Sequence, residues 1–151
     1  MDRERQERSS AAHAACSAIV TGATKTELAD CASAEYRAVL GRACAVIVRW
    51  RLDESEVDAL LDVPPGESKA IVAGRAPACV AAEANLRRLV EIDLLARRLV
   101  GDDDLVAAWA RSPCAFLDHR EPLQRMRRPG GLMEVRRGLE REFAEGGGIW
   151  S

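Results

Sequence analysis

Aromatic side chains are scarce in this chain: three Trp, two Phe and one Tyr make up 4% of 151 residues. Strands favour aromatic and β-branched residues, so this shortage, beside an abundance of Ala, Leu, Arg and Glu, argues against a sheet protein and for helices. Excess charge of one sign is missing too. Lys and Arg number 22 against 24 Asp and Glu, a formal net charge of −2 and a pI near 5.8. No global attraction to nucleic acid or to an anionic membrane follows from that balance.

Histidine is limited to His13 and His119, and the five cysteines, Cys16, Cys31, Cys44, Cys79 and Cys114, are odd in number with no close pair. This excludes a disulfide framework and a C-x-x-C zinc or redox motif. The thiols are expected to be small buried apolar residues, and no metal or cofactor is expected. No Ser/His/Asp or Cys/His set, glycine-rich phosphate loop or paired-carboxylate constellation stands out, so no catalytic residue is assigned and the chain is not expected to be an enzyme. Apolar runs approaching about 18 residues are absent. Residues 1–10 are charged and residues 11–20 too mixed for a signal sequence, so a cytoplasmic protein with reduced thiols, off the membrane, is expected.

What is present is a globular mixture, 48% hydrophobic and 30% charged, of a length suited to one ordinary domain or two very small ones. The expected fold is all-α, a small helical bundle. Residues 1–35 form an N-terminal arm, partly helical or mobile, with small apolar side chains. Tyr36, Val39, Leu40, Ala43, Ile47 and Trp50 then recur at three- and four-residue steps, one apolar helix face. Asp53 or Ser55 caps the next helix, which carries Val57, Leu60 and Leu61 and ends near Val63. Pro64, Pro65 and Gly66 force a turn, and Glu67 or Ser68 starts a short helix stopped by Gly74 and Pro77.

Residues 36–77 thus have a helix-turn-helix outline. Its second helix offers few basic groups for a DNA groove: Lys69 and, just beyond it, Arg75, set against Glu67.

Residues 78–100 read as the longest helix, with Leu86, Leu89, Val90, Ile92, Ala96, Leu99 and Val100 as an apolar sector and Glu91 four positions after Arg87 on the solvent side. Gly101 stops it, and Asp102, Asp103 and Asp104 suit the start of a helix that buries Leu105, Val106 and Trp109. A loop over residues 114–121 leads to Pro122 at the first position of a helix bearing Leu123 and Met126. Pro129, Gly130 and Gly131 break it. The last helix puts Leu132, Val135, Leu139 and Phe143 on one face and Glu134, Arg137 and Arg141 on the other. Arg125, Arg127, Arg128, Arg136 and Arg137 make a basic cluster that suits a solvated helix face, the rim of an acidic partner or phosphate contacts. Beyond Gly146, Gly147 and Gly148 stand Ile149, Trp150 and Ser151; a terminal Trp docks either on its own chain or into a partner.

The succession ANLRRLVEIDLLARRLVGDDDLVAAWARSP, then EPLQRMRRPGGLMEVRRGLEREFAEGG, resembles the toxin-binding domain of the Xre/MbcA/ParS antitoxin family. The shared features are an Arg-hydrophobic helix before a Gly-Asp break, a helix ending in Trp109 and Arg111 before Pro113, the Pro122-Leu123 pair, the Gly130-Gly131 break and a final helix. Residues 38–75 are similar to the Xre-type helix-turn-helix that precedes this domain in the family. Asp62 stands where the family usually has Gly, and Ile71 where it commonly has Trp.

The resemblance implies a non-catalytic type II antitoxin whose residues 78–151 bind and neutralise a cognate RES-domain toxin acting on NAD, by hydrolysis or ADP-ribosylation. Toxin contacts are expected at Arg136, Arg137, Glu140 and Phe143, and the flexible Gly146, Gly147 and Gly148 are expected to let Ile149, Trp150 and the Ser151 carboxylate fill the toxin's NAD pocket. A homodimer giving a hetero-oligomeric complex, and binding to its own promoter through Ser68, Lys69 and Arg75, are further expectations. The alternative is a stand-alone helix-turn-helix transcriptional regulator whose C-terminal half only dimerises.

Overall fold

Helix follows helix through the computed structural model, which describes the backbone of residues 25–146 and the side chains of residues 34–146. Seven α-helices run α1 (Lys25–Arg49), α2 (Glu54–Leu61), α3 (Glu67–Val72), α4 (Val80–Val100), α5 (Asp103–Ala110), α6 (Pro122–Met126) and α7 (Gly131–Glu145). A 3-10 turn, Ala115–Leu117, precedes α6. The all-α expectation is met, with no strand among the described residues. His13, Cys16, Ile149, Trp150 and Ser151, and most of the N-terminal arm, lie outside the described residues.

Local chemistry fixes the ends. Asp53 caps α2: its Oδ1 accepts the Glu56 N–H at 2.8 Å, while Glu56 Oε2 accepts the Asp53 N–H at 3.0 Å, a reciprocal box. Asp62 ends α2 in the left-handed region, with φ 56° and ψ 50°, a conformation that glycine adopts more readily. Asp58 then reaches across the Pro-Pro-Gly turn and accepts the N–H groups of Gly66 at 2.9 Å and Ser68 at 3.0 Å, fixing α3 against α2. Asp102 caps α5 through the Asp104 N–H at 2.8 Å.

Helix α4 is the spine. Its Ala82 and Leu86 pack with Val39, Leu40, Ala43, Val57, Leu61 and Ile71 at one end. Its Leu89, Ile92 and Ala96 join Val46, Trp50, Leu60, Val106, Trp109, Met126, Leu132, Val135 and Leu139 at the other. Trp50 and Trp109, both fully buried, meet edge to face with ring centroids 5.9 Å apart and planes at 84°. The Trp50 indole N–H donates to Asp93 Oδ1 at 2.9 Å, and Arg49 Nη1 pairs with Asp93 Oδ2 at 2.7 Å, so this buried carboxylate of α4 is answered from the end of α1.

Several expectations need correction. The longest helix is α1, 25 residues against 21 for α4, because the helical backbone extends upstream of the firm apolar pattern to Lys25. Arg87 does not turn toward Glu91; it pairs with Glu83 one turn earlier at 3.1 Å and with Glu35 at 3.5 Å, freeing Glu91 for Arg136. Leu105 and Phe143 are about half exposed, since α5 buries only the Val106–Trp109 side and α7 runs past the core before Phe143 is reached. The 114–121 loop contains the 3-10 turn and a bridge between Cys114 and Arg120. Gly131 is the first residue of α7 rather than a breaker. Of the described cysteines, Cys114 is buried, Cys44 partly so and Cys79 exposed, its Sγ capping α4 through the Ala82 N–H. Burial pushes the Cys114 thiol up to about 11, which keeps it a neutral core side chain.

Candidate toxin-binding surface

Helix α7 is strongly two-sided. Leu132, Val135 and Leu139 are buried against α4 and α6. Two glycines allow it to come so close. A side chain at Gly131 would collide with the Arg125 carbonyl, and one at Gly138 would meet the Phe116 ring at 2.5 Å. The opposite face is lined by Met133, Glu134, Arg137, Glu140, Arg141 and Ala144, which border an open depression of about 700 Å³.

The expected contact residues on α7 are not equivalent. Arg136 pairs with Glu91 on α4 at 2.7 Å and with Glu140 one turn on at 3.2 Å, so Arg136 bridges α7 to α4 while the exposed Glu140 steadies it from the edge of the open face. Arg137 is exposed and has no ion pair among the described residues; Phe143 is half exposed near the helix end. The basic cluster is likewise split: Arg125 is tied to Glu134 at 2.8 Å, whereas Arg127 and Arg128 are exposed and carry no ion pair among the described residues. Sequence reading missed Met133 and Ala144 on the open face. Their spacing of four and seven residues from Arg137 was the available signal. Gly146, at φ 70°, closes the helix, and the expected plug residues Ile149, Trp150 and Ser151 follow beyond the described residues.

At the other end of the molecule the three DNA candidates also separate. Ser68 is buried, its backbone N–H held by Asp58; the Ser68 hydroxyl and the Gly66 N–H hold the Asp58 carboxyl below the usual range. Lys69 and Arg75 are exposed. Beside them Cys44, Ile47, Val57 and Val72 line an apolar recess of about 380 Å³.

Residues 95–144 match the family model of the antitoxin Xre/MbcA/ParS C-terminal toxin-binding domain. The match supports the Xre/MbcA/ParS antitoxin assignment. It covers about a third of the chain, starting in the second half of α4 and ending at Ala144, and so spans α5, α6 and nearly all of α7. The sequence resemblance began earlier, at Leu86. No curated protein and no solved structure matches the chain. A domain of this family binds a toxin and is not a class of enzyme, which supports an antitoxin role for the Xre/MbcA/ParS-like region. No helix among the described residues is long and apolar enough to cross a membrane.

Proposed function

We propose that this chain is the antitoxin of a type II toxin-antitoxin pair and neutralises a RES-domain toxin that acts on NAD. The observation that carries the reading is the family match, which ends on the helix whose outer face displays Arg137 and Arg141, with Phe143 half exposed near its end. Inhibition of an enzyme by a protein requires a surface large enough to hold it and a group that denies the substrate its pocket. In this reading the α7 face supplies the first, with Arg136 and Glu140 keeping the helix in place through Glu91. The glycine run and Ile149, Trp150 and Ser151 supply the second.

The antitoxin acts in the cytoplasm as a homodimer in complex with its toxin. Residues 36–77 form its helix-turn-helix-like unit, the arm precedes it, and residues 78–151 form the toxin-binding unit. Lys69 and Arg75, with Ser68 setting the turn, are the groups offered to promoter DNA.

Co-expression with the neighbouring toxin gene tests the proposal. The full chain is expected to rescue growth and co-purify with the toxin, while deletion of residues 146–151 leaves a folded protein that no longer blocks NAD turnover. Full inhibition by the truncated protein would rule out the plug, and absence of any complex would rule out the antitoxin reading.

A further inference from the structure

Between the ends of α2 and α6 and the start of α7 lies a cavity of about 240 Å³ that the toxin-binding reading does not use. Arg88 reaches it from α4, Arg127 and Arg128 from the turn after α6, and Leu132 and Met133 from the first turn of α7. Several guanidinium groups that pack between helices have carboxylate partners: Arg49 with Asp93, Arg111 with Glu56, Arg125 with Glu134 and Arg136 with Glu91. Here Arg88 donates to the neutral Asn85 at 3.2 Å, and Arg127 and Arg128 have no ion pair among the described residues. The single carboxylate on the wall is Asp62, held in its left-handed conformation at the end of α2.

The backbone adds donors of the same kind. Around the start of α7 the Gly131 N–H bonds to the Arg128 carbonyl and the Glu134 N–H to the Gly130 carbonyl. The intervening N–H groups of Leu132 and Met133 have no backbone acceptor, and Gly130 has no side chain with which to cap them. Three arginines and two helix-end amides border this one small cavity against the single carboxylate of Asp62, and even with Arg127 also bordering Glu54 and Asp58 on its other side, they offer positive charge and directional donors to an oxyanion.

We propose that this basin is a phosphate-binding site, taking a phosphate or diphosphate group between Arg88, Arg127, Arg128 and the first turn of α7. Guanidinium forks and backbone amides match the oxygens of a phosphoryl group. The volume holds such a group but not an attached nucleoside, so a nucleotide would leave its sugar and base outside. The phosphate is therefore either a free ion or the diphosphate of a nucleotide. The site adjoins the α7 outer face, sharing Gly130 and Met133 with it, but phosphate binding to the free chain does not depend on a toxin, so its failure would leave the antitoxin reading untouched.

Isothermal titration of the full chain at low ionic strength with inorganic phosphate, pyrophosphate and ADP tests the assignment. Pyrophosphate is expected to bind saturably at one site. Replacing both exposed arginines, R127Q with R128Q, is expected to weaken it by about tenfold or more, the scale of lost charge-assisted hydrogen bonds. Asp62→Asn removes the opposing charge while tolerating the left-handed backbone, and is expected to tighten binding severalfold. Equal binding of ADP and pyrophosphate identifies a nucleotide as the source; binding of pyrophosphate without ADP identifies the free ion. The proposal is overturned by absence of saturation with pyrophosphate, by binding unchanged in the double variant, or by tighter binding of a polyglutamate peptide. Should the double variant fail to fold, an unchanged or weakened affinity in Asp62→Asn overturns it.

Discussion

Arg111, the residue after α5, grips Glu56 in the first turn of α2 with both arms of its guanidinium, Nη1 to Oε1 at 2.8 Å and Nη2 to Oε2 at 3.0 Å. The same Nη2 donates to the Arg51 carbonyl at 3.0 Å. The region that matches the family model thereby clamps the first turn of α2 at the residue that also closes the α2 capping box.

This clamp makes part of the stability acid-sensitive. The side-chain hydrogen bond from Arg111 holds the Glu56 carboxyl below its ordinary range, and Asp58 is lowered by the Ser68 hydroxyl and Gly66 N–H. A lowered folded pKa means that the stabilisation is complete above the unfolded carboxylate value and is lost as pH falls through the folded one. Urea midpoints measured from pH 7 to pH 3 are expected to fall, and to fall less steeply in the E56Q/D58N double variant, which starts from a lower value. Because Arg111 is partly exposed, Arg111→Ala is expected to cost no more than about 1–2 kcal/mol at pH 7.

Asp93 holds α1 to α4 through Trp50 and Arg49. Asp93→Ala leaves a buried indole N–H without its acceptor and Arg49 without its nearest carboxylate. A loss of about 2–4 kcal/mol in chemical unfolding is expected, together with a changed near-ultraviolet signal from Trp50. Full stability in that variant would show that water replaces the carboxylate.

Gly138→Ala ought to favour an isolated helix, by up to about 1 kcal/mol. In this fold the added methyl meets the Phe116 ring at 2.5 Å, and overpacking of this kind costs about 1–3 kcal/mol. The variant is expected to melt lower than the parent. In a Phe116→Ala background the same substitution is expected to stabilise, a reversal that a thermal double-mutant cycle reads directly.

Asp62 carries the left-handed conformation without the freedom of glycine. Asp62→Gly is expected to raise the urea midpoint by an amount equivalent to about 0.5–1 kcal/mol. A lower midpoint would mean that the carboxylate makes a contribution beyond its backbone geometry.

Exposed residues on α7 are expected to matter to a complex and not to the fold. Arg137→Glu with Phe143→Ala should leave unfolding within about 0.5 kcal/mol of the parent while weakening the co-purified toxin complex by tenfold or more, as loss of a central Arg and aromatic contact does. An unchanged complex would move the interface off this face.

Much of the fold was legible because its signals are local. Apolar spacing marked the buried sides of α1, α4 and α7, Asp53 and Asp102 marked helix starts, and Gly101 and Pro122 marked an end and a beginning. The misreadings are places where distant residues choose between local options. Arg87 had carboxylates one turn to either side and took Glu83, because Glu91 faces Arg136 across the α4–α7 contact. Phe143 continued the apolar stripe of α7, yet the core stops short of it.

Composition and periodicity by themselves determined an all-α chain with capped helices, since these depend on steric and hydrogen-bonding rules that act within a turn or two of helix; the antitoxin likeness of the C-terminal region came from the order of its motifs, not from those rules. The tertiary structure decided which arginines are consumed. Arg111, Arg125 and Arg136 are neutralised by carboxylates brought from elsewhere in the fold, while Arg88, Arg127 and Arg128 are left together around an uncapped helix start. Charge pairing over tens of residues depends on how helices pack, and no spacing along the chain encodes it.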